Sequence, residues 1–199
     1  MKRIGRIAVF VQLVTLLLVV PQVSALSIDT SADWAGVINN GWTSSGQSLT
    51  VDAGESFLED IGFYYDTASV GQVFDFYLTD ALVGGNVLFS SSFEVESGLN
   101  LIDVDRALAP QSTVYALVDY RGFSGSTAHF IGADVYSGGN SFFGHGAALG
   151  DLVSYGGLDH RFVATFSNGG GTPVPEPGTT LLFGVGVVGF AGVVRWRKR

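Results

Sequence analysis

Between residues 26 and 172, apolar side chains recur at every second position, and this alternation most limits what the chain can fold into. Phe74, Phe76 and Leu78 share one face of 73–78, and Val114, Ala116, Val118 and Tyr120 share one face of 114–120. Ile61, Phe63 and Tyr65 form a third such set, and Phe162, Ala164 and Phe166 a fourth. A period of two is that of a strand with one face buried. Further strands are expected over 48–51, 87–95, 99–104 and 129–135. Turn-forming compositions separate them, including Gly84-Gly85-Asn86, Ser97-Gly98 and Pro110-Gln111-Ser112. No segment of this body has a period of 3.6, although a short helix or turn fits 145–153. The pattern predicts an all-β fold, a single jelly-roll-like β-sandwich.

Charge narrows the function classes. Residues 26–172 hold three arginines (Arg106, Arg121, Arg161), no lysine and 17 acids, a formal charge of −14. A nucleic-acid binder needs cations to displace counterions, so nucleic acid is excluded as a partner. The 199-residue chain has no cysteine, which excludes a disulfide scaffold.

The two ends differ from the body. Residues 1–25 read as a signal peptide. Lys2, Arg3 and Arg6 precede the apolar run Ile7–Val20, and Val23-Ser24-Ala25 offers small residues to signal peptidase. Cleavage is expected between Ala25 and Leu26. The apolar run, about 14 residues, is short for a membrane span of about 20. At the other end, 26–167 gives way to a Gly/Pro-rich linker, 168–178. An uncharged apolar stretch, 179–194, follows, and 195–199 closes the chain with Arg195, Arg197, Lys198 and Arg199. As a helix the stretch is about 24 Å long, at the short limit for a bilayer. The basic cluster keeps the tail cytoplasmic and leaves the body outside the inner membrane, in the periplasm. Gly184-Val185-Gly186-Val187-Val188-Gly189 has the letters of a dinucleotide fingerprint. It lies inside the apolar stretch, without the required strand–turn–helix setting, and is rejected.

Val174-Pro175-Glu176-Pro177, the apolar stretch and the basic tail together resemble the PEP-CTERM sorting signal of Gram-negative bacteria. The resemblance implies recognition by exosortase, an integral membrane enzyme, with the tail removed near Pro-Glu-Pro and the passenger delivered to the cell surface or extracellular matrix. It also implies a setting of exopolysaccharide production and biofilm formation. The motif would be a substrate site, and its chemistry fits: two prolines hold the backbone extended and remove two amide donors. The body also resembles passengers carried by other proteins with this tail, through Gln-Ser-Leu-Thr (47–50), Phe-Asp-Phe-Tyr-Leu (74–78), Thr-Val-Tyr-Ala-Leu-Val (113–118), Tyr-Ser-Gly-Gly (136–139) and the strand 161–167. That likeness supports a sandwich and implies no activity.

Candidate ligand residues are few. Trp34, Trp42 and Tyr155 could stack on the apolar face of a sugar ring, with Asp151 bonding its hydroxyls; Tyr64, Tyr65 and Tyr136 belong to the same pool. Core packing competes for every one of them. Asp103 and Asp105 form the tightest acidic pair and are the calcium candidates, with Glu59-Asp60 second. Neither matches an EF-hand loop, and a solvated acidic surface explains both. His129, His145 and His160 are too scattered for a metal motif, and no nucleophile elbow occurs. The expectation is a non-enzymatic exported protein without a required cofactor that binds exopolysaccharide. The alternative is a structural or spacer protein of the matrix.

Overall fold

In a computed structural model, which describes residues 25–32, 36–37, 41–123, 129–131, 133–145 and 149–168, the four alternating sets lie on strands, except that Tyr120 falls one residue past the end of its strand. The predicted signal peptide up to Ser24, Trp34, and everything beyond Asn168, including the sorting motif and the apolar stretch, lie outside the described residues. Among the described residues there is no α-helix, and no helix long and apolar enough to cross a membrane.

The strands are β1 (Leu26–Asp29), β2 (Gly36–Val37), β3 (Ser44–Thr50), β4 (Phe57–Tyr65), β5 (Val73–Thr79), β6 (Val87–Glu94), β7 (Gly98–Ala107), β8 (Thr113–Asp119), β9 (His129–Ile131), β10 (Ser141–Gly144), β11 (Val153–Tyr155), β12 (Asp159–His160) and β13 (Phe162–Ser167). A four-stranded sheet has the order β1-β13-β4-β7, and a six-stranded sheet the order β11-β10-β3-β8-β5-β6. The small set β12-β9-β2 forms a third sheet. All the pairings are antiparallel.

The two large sheets form a sandwich. Ile61, Phe63, Ile102, Val104 and Phe162 from the four-stranded sheet share one core with Leu49, Phe74, Phe76, Leu78 and Val114 from the other. Every residue of the four alternating sets is buried. Each large side chain so buried contributes about 1.5–3 kcal/mol of transfer free energy, which suits a chain with no cross-links. The two deepest phenols need polar partners. The Tyr120 hydroxyl hydrogen-bonds the Ser45 hydroxyl, and burial pushes the Tyr65 phenol well above its ordinary pKa.

Departures from the expected pattern have local causes. The strand expected over 129–135 ends at Ile131, and Ala133–Tyr136 is not strand. The backbone N–H groups of Val135 and Tyr136 turn instead toward the Asp159 carboxylate. The helix or turn expected over 145–153 is a 3₁₀ turn at Leu149–Asp151. Strand β10, Ser-Phe-Phe-Gly, is buried at all four positions, so it carries no alternation to read.

Candidate functional site

Three of the four residues expected to meet a sugar come together at one corner. Strand β10 pairs with β3 and β11, so the six-stranded sheet runs two strands past β3. Phe143 (β10), Tyr155 (β11) and Trp42, just before β3, cluster there. The Trp42 and Tyr155 rings are 5.6 Å apart and edge-on, and Phe143 lies 5.4 Å from Tyr155. Asp151 stands behind them, its Oδ2 accepting the His145 N–H at 2.9 Å. Trp42, however, is not an open platform. The His145 ring stacks on it at 3.8 Å and 20°. The imidazole is held in place because its Nδ1 lies 3.2 Å from the Gly41 carbonyl oxygen, a contact that requires Nδ1 to carry the hydrogen. Phe143 reaches inward to His160 at 4.9 Å, and His160 to Phe63 at 5.7 Å. Trp42 is therefore tied into the packing, and Tyr155, 37% exposed, is the open ring of the corner. Of the other pool members, Tyr65 is core, and the Arg161 guanidinium sits 4.1 Å over the Tyr64 ring. Tyr136 is half-buried.

The two acidic pairs also meet. In the β4–β7 register Asp60 stands directly opposite Asp103, and Asp105, at φ 47°, lies beside the register shift between Leu58 and Asp60. Burial first, then the neighbouring Glu59, Asp103 and Asp105 charges, raise the Asp60 pKa, against a hydrogen bond from Thr165 that lowers it. Among the described residues no group of three or more acids and histidines converges enough to hold a metal ion. Like charges directly opposite destabilise a sheet. A carboxylate whose pKa is raised on folding contributes stability fully below its unfolded value and loses it as pH rises through the folded value. Asp60→Asn is therefore expected to gain up to about 1 kcal/mol at neutral pH, with the gain vanishing below about pH 4, where the wild-type carboxyl is itself neutral. Urea unfolding at both pH values checks this.

A concave feature lies elsewhere. On β3 and β8, Leu49 and Val114 face the core, so their neighbours Ser48, Thr50, Thr113 and Tyr115 face the opposite side of the six-stranded sheet. Phe142 of β10 and Ser154 of β11 continue that outer face. The segment 134–140 rises beside it as a wall, and between them runs a groove of about 510 Å³. Its lining is mostly hydroxyls, with the Asn140 amide, the Asp134 carboxylate, and the Tyr115 and Phe142 rings packed edge-on at 5.6 Å.

The wall is fastened from both sides. Ser48 Oγ accepts the Asn140 N–H at 2.8 Å, the Ser48 N–H donates to the Asn140 carbonyl at 2.9 Å, and Thr50 Oγ1 donates to the Gly138 carbonyl at 2.6 Å. At Gly139 a Cβ would lie 1.8 Å from the Ser48 carbonyl oxygen, so only glycine permits this approach. From inside, the fully buried Asp159 holds the start of the wall. Its Oδ2 accepts the N–H groups of Val135 (2.9 Å) and Tyr136 (2.8 Å), and its Oδ1 accepts Gln47 Nε2 at 2.8 Å. The Gln47 Oε1 in turn accepts the His160 N–H at 3.1 Å. Burial, the largest influence, leaves the Asp159 pKa raised despite these donors. Sequence reasoning missed this groove. Its only local signal was the Tyr-Ser-Gly-Gly run at 136–139, read as part of a family likeness.

Over residues 173–199 the chain matches the model of the PEP-CTERM protein-sorting motif. The chain thus carries a PEP-CTERM sorting motif at residues 173–199. The motif marks it as an exported protein with a C-terminal membrane-anchoring sorting signal, processed by exosortase. No curated protein matches the chain. Among solved structures, the chain is similar to a clostridial cysteine protease after propeptide cleavage, at 13% identity and a TM-score of 0.52, over 72% of this chain and 40% of that one. It is also similar, at 14% identity and a TM-score of 0.49, to the cysteine protease and lectin-like domains of a surface-layer-associated protein of Clostridium difficile, over 74% of this chain and 36% of that one. The chain thus spans two fifths or less of those proteins' length, and the first likeness bears on the fold alone.

Proposed function

We propose that the exported body is a non-catalytic saccharide-binding protein of the cell surface or extracellular matrix, and that exopolysaccharide lies in the groove on the outer face of the six-stranded sheet. The observation that carries this is the lining. Hydroxyls, an amide and a carboxylate surround two aromatic rings, which is what a polyhydroxylated chain with apolar ring faces needs. The trough crosses β8, β3, β10 and β11; four strands about 4.8 Å apart span about 14 Å, a length for an oligosaccharide rather than a single sugar. Among the described residues the lining has one carboxylate, short of the pair that glycoside hydrolysis generally uses. The reading needs no cofactor.

The delivery route is part of the proposal. Signal peptidase removes residues 1–25; in support, the first strand begins at Leu26, directly after the expected cut. Residues 179–194 then tether the body on the periplasmic side of the inner membrane until exosortase acts. The sandwich itself is a jelly roll. Leaving aside the short additional strands, the chain builds β1-β13-β4-β7 and β3-β8-β5-β6 by crossing repeatedly between the sheets, an order that two Greek keys produce. The packed state of Trp42 favours a second reading, a structural or spacer protein of the matrix with no ligand.

Titration of the full-length protein in detergent with the host's own exopolysaccharide separates the two. Saturable heat is expected, weakened about tenfold by Tyr115→Ala, which corresponds to about 1.4 kcal/mol for the lost ring contact, and unchanged by Trp42→Phe. Absence of heat from folded protein would leave the spacer reading.

A further inference from the structure

The groove carries a charge asymmetry that bears on which saccharide it accepts. Asp134 is exposed at its wall, and among the described residues no lysine, arginine or histidine lines it. The body's three arginines are committed elsewhere. Arg121 pairs with Asp75 through a two-pronged contact, its Nε 2.8 Å from Oδ2. Arg161 covers Tyr64 and donates from Nε to the Ser31 carbonyl at 2.8 Å. Arg106 lies on β7, in the other sheet. Among the described residues no cation lines the groove to neutralise an incoming anion, and the body's −14 formal charge opposes one at longer range. A positively charged group entering the same trough meets Asp134 and a favourable field.

We propose that the groove selects its saccharide by charge, preferring chains that bear free amines, such as partly deacetylated amino-sugar polymers, and discriminating against uronate or sulfate chains. This rests on the saccharide reading above and assigns Asp134 as the residue that sets the preference. The Asp134 side chain is exposed, so its substitution leaves the fastening of the wall by Ser48, Thr50 and Asp159 intact. Opposite charges about 4 Å apart in water attract by a factor of about five in affinity, and salt screens that attraction.

The test titrates full-length protein in detergent with three hexasaccharides: one of glucosamine, its neutral N-acetylated counterpart, and one of galacturonate. At low salt the glucosamine chain is expected to bind about fivefold more tightly than the neutral chain for the single Asp134 contact, and the galacturonate chain more weakly than either. High salt should compress this order. Asp134→Asn should bring the affinity of the glucosamine chain close to that of the neutral one measured on the same variant. Equal affinities for all three, or a preference that survives Asp134→Asn, would overturn the charge selection while leaving saccharide binding standing. Absence of binding by all three chains and by the host polymer would overturn both.

Discussion

Asp159→Ala is expected to lower stability by about 3–5 kcal/mol, because it strands a buried amide donor and two backbone donors at about 1–3 kcal/mol each, less whatever water recovers. The donors are Gln47 Nε2 and the N–H groups of Val135 and Tyr136. The Gln47 oxygen is itself engaged with the His160 N–H. Because Val135 and Tyr136 begin the wall of the groove, saccharide binding should fall with stability. Asp159→Asn keeps one acceptor oxygen but turns an NH₂ toward a donor, so a smaller loss is expected. Denaturant unfolding of wild type and both variants reads the order. An alanine variant as stable as wild type would show that the carboxylate does not hold the wall.

Replacing Pro175, Glu176 and Pro177 together by alanine is expected to leave the sandwich folded and to stop its release from the cell. The three residues lie outside the sandwich strands, which end at Ser167. Alanine restores two amide donors, frees φ and permits helix, so the segment no longer enters a membrane-proximal cleft already extended. Nearly all of the protein should then fractionate with the membrane at the mass of the uncut tail. The wild type should appear in the extracellular fraction without residues 179–199. Equal release of the two forms would remove the motif from the sorting step.

What could be read in the sequence, and what could not, follows from the range of each interaction. Phe74, Phe76, Leu78 and the sets on β4, β8 and β13 announce their buried face within a few residues, because the strand period is local. The terminal motif is likewise a local string. Strand β10 is buried on both faces and shows no period. Trp42, Asp151 and Tyr155 could be named as candidates from their residue types, but not their convergence, and only the His145 ring, 103 positions along from Trp42, reveals that one face of Trp42 is covered. The groove was hidden for the same reason. Its wall depends on Asp159, one acid among 17 in the body, meeting Gln47 from 112 residues away. Nothing in the composition around Asp159 distinguishes it from the solvated acids.

Hydrogen exchange of the mature extracellular protein, with and without the host's exopolysaccharide, tests the central claim most directly. Binding in the groove predicts slowed exchange at residues 48–50, 113–115 and 134–140 and at Ser154, with the outer face of the four-stranded sheet unchanged. Protection confined to Trp42 and Tyr155, or none at saturating polymer, would contradict it.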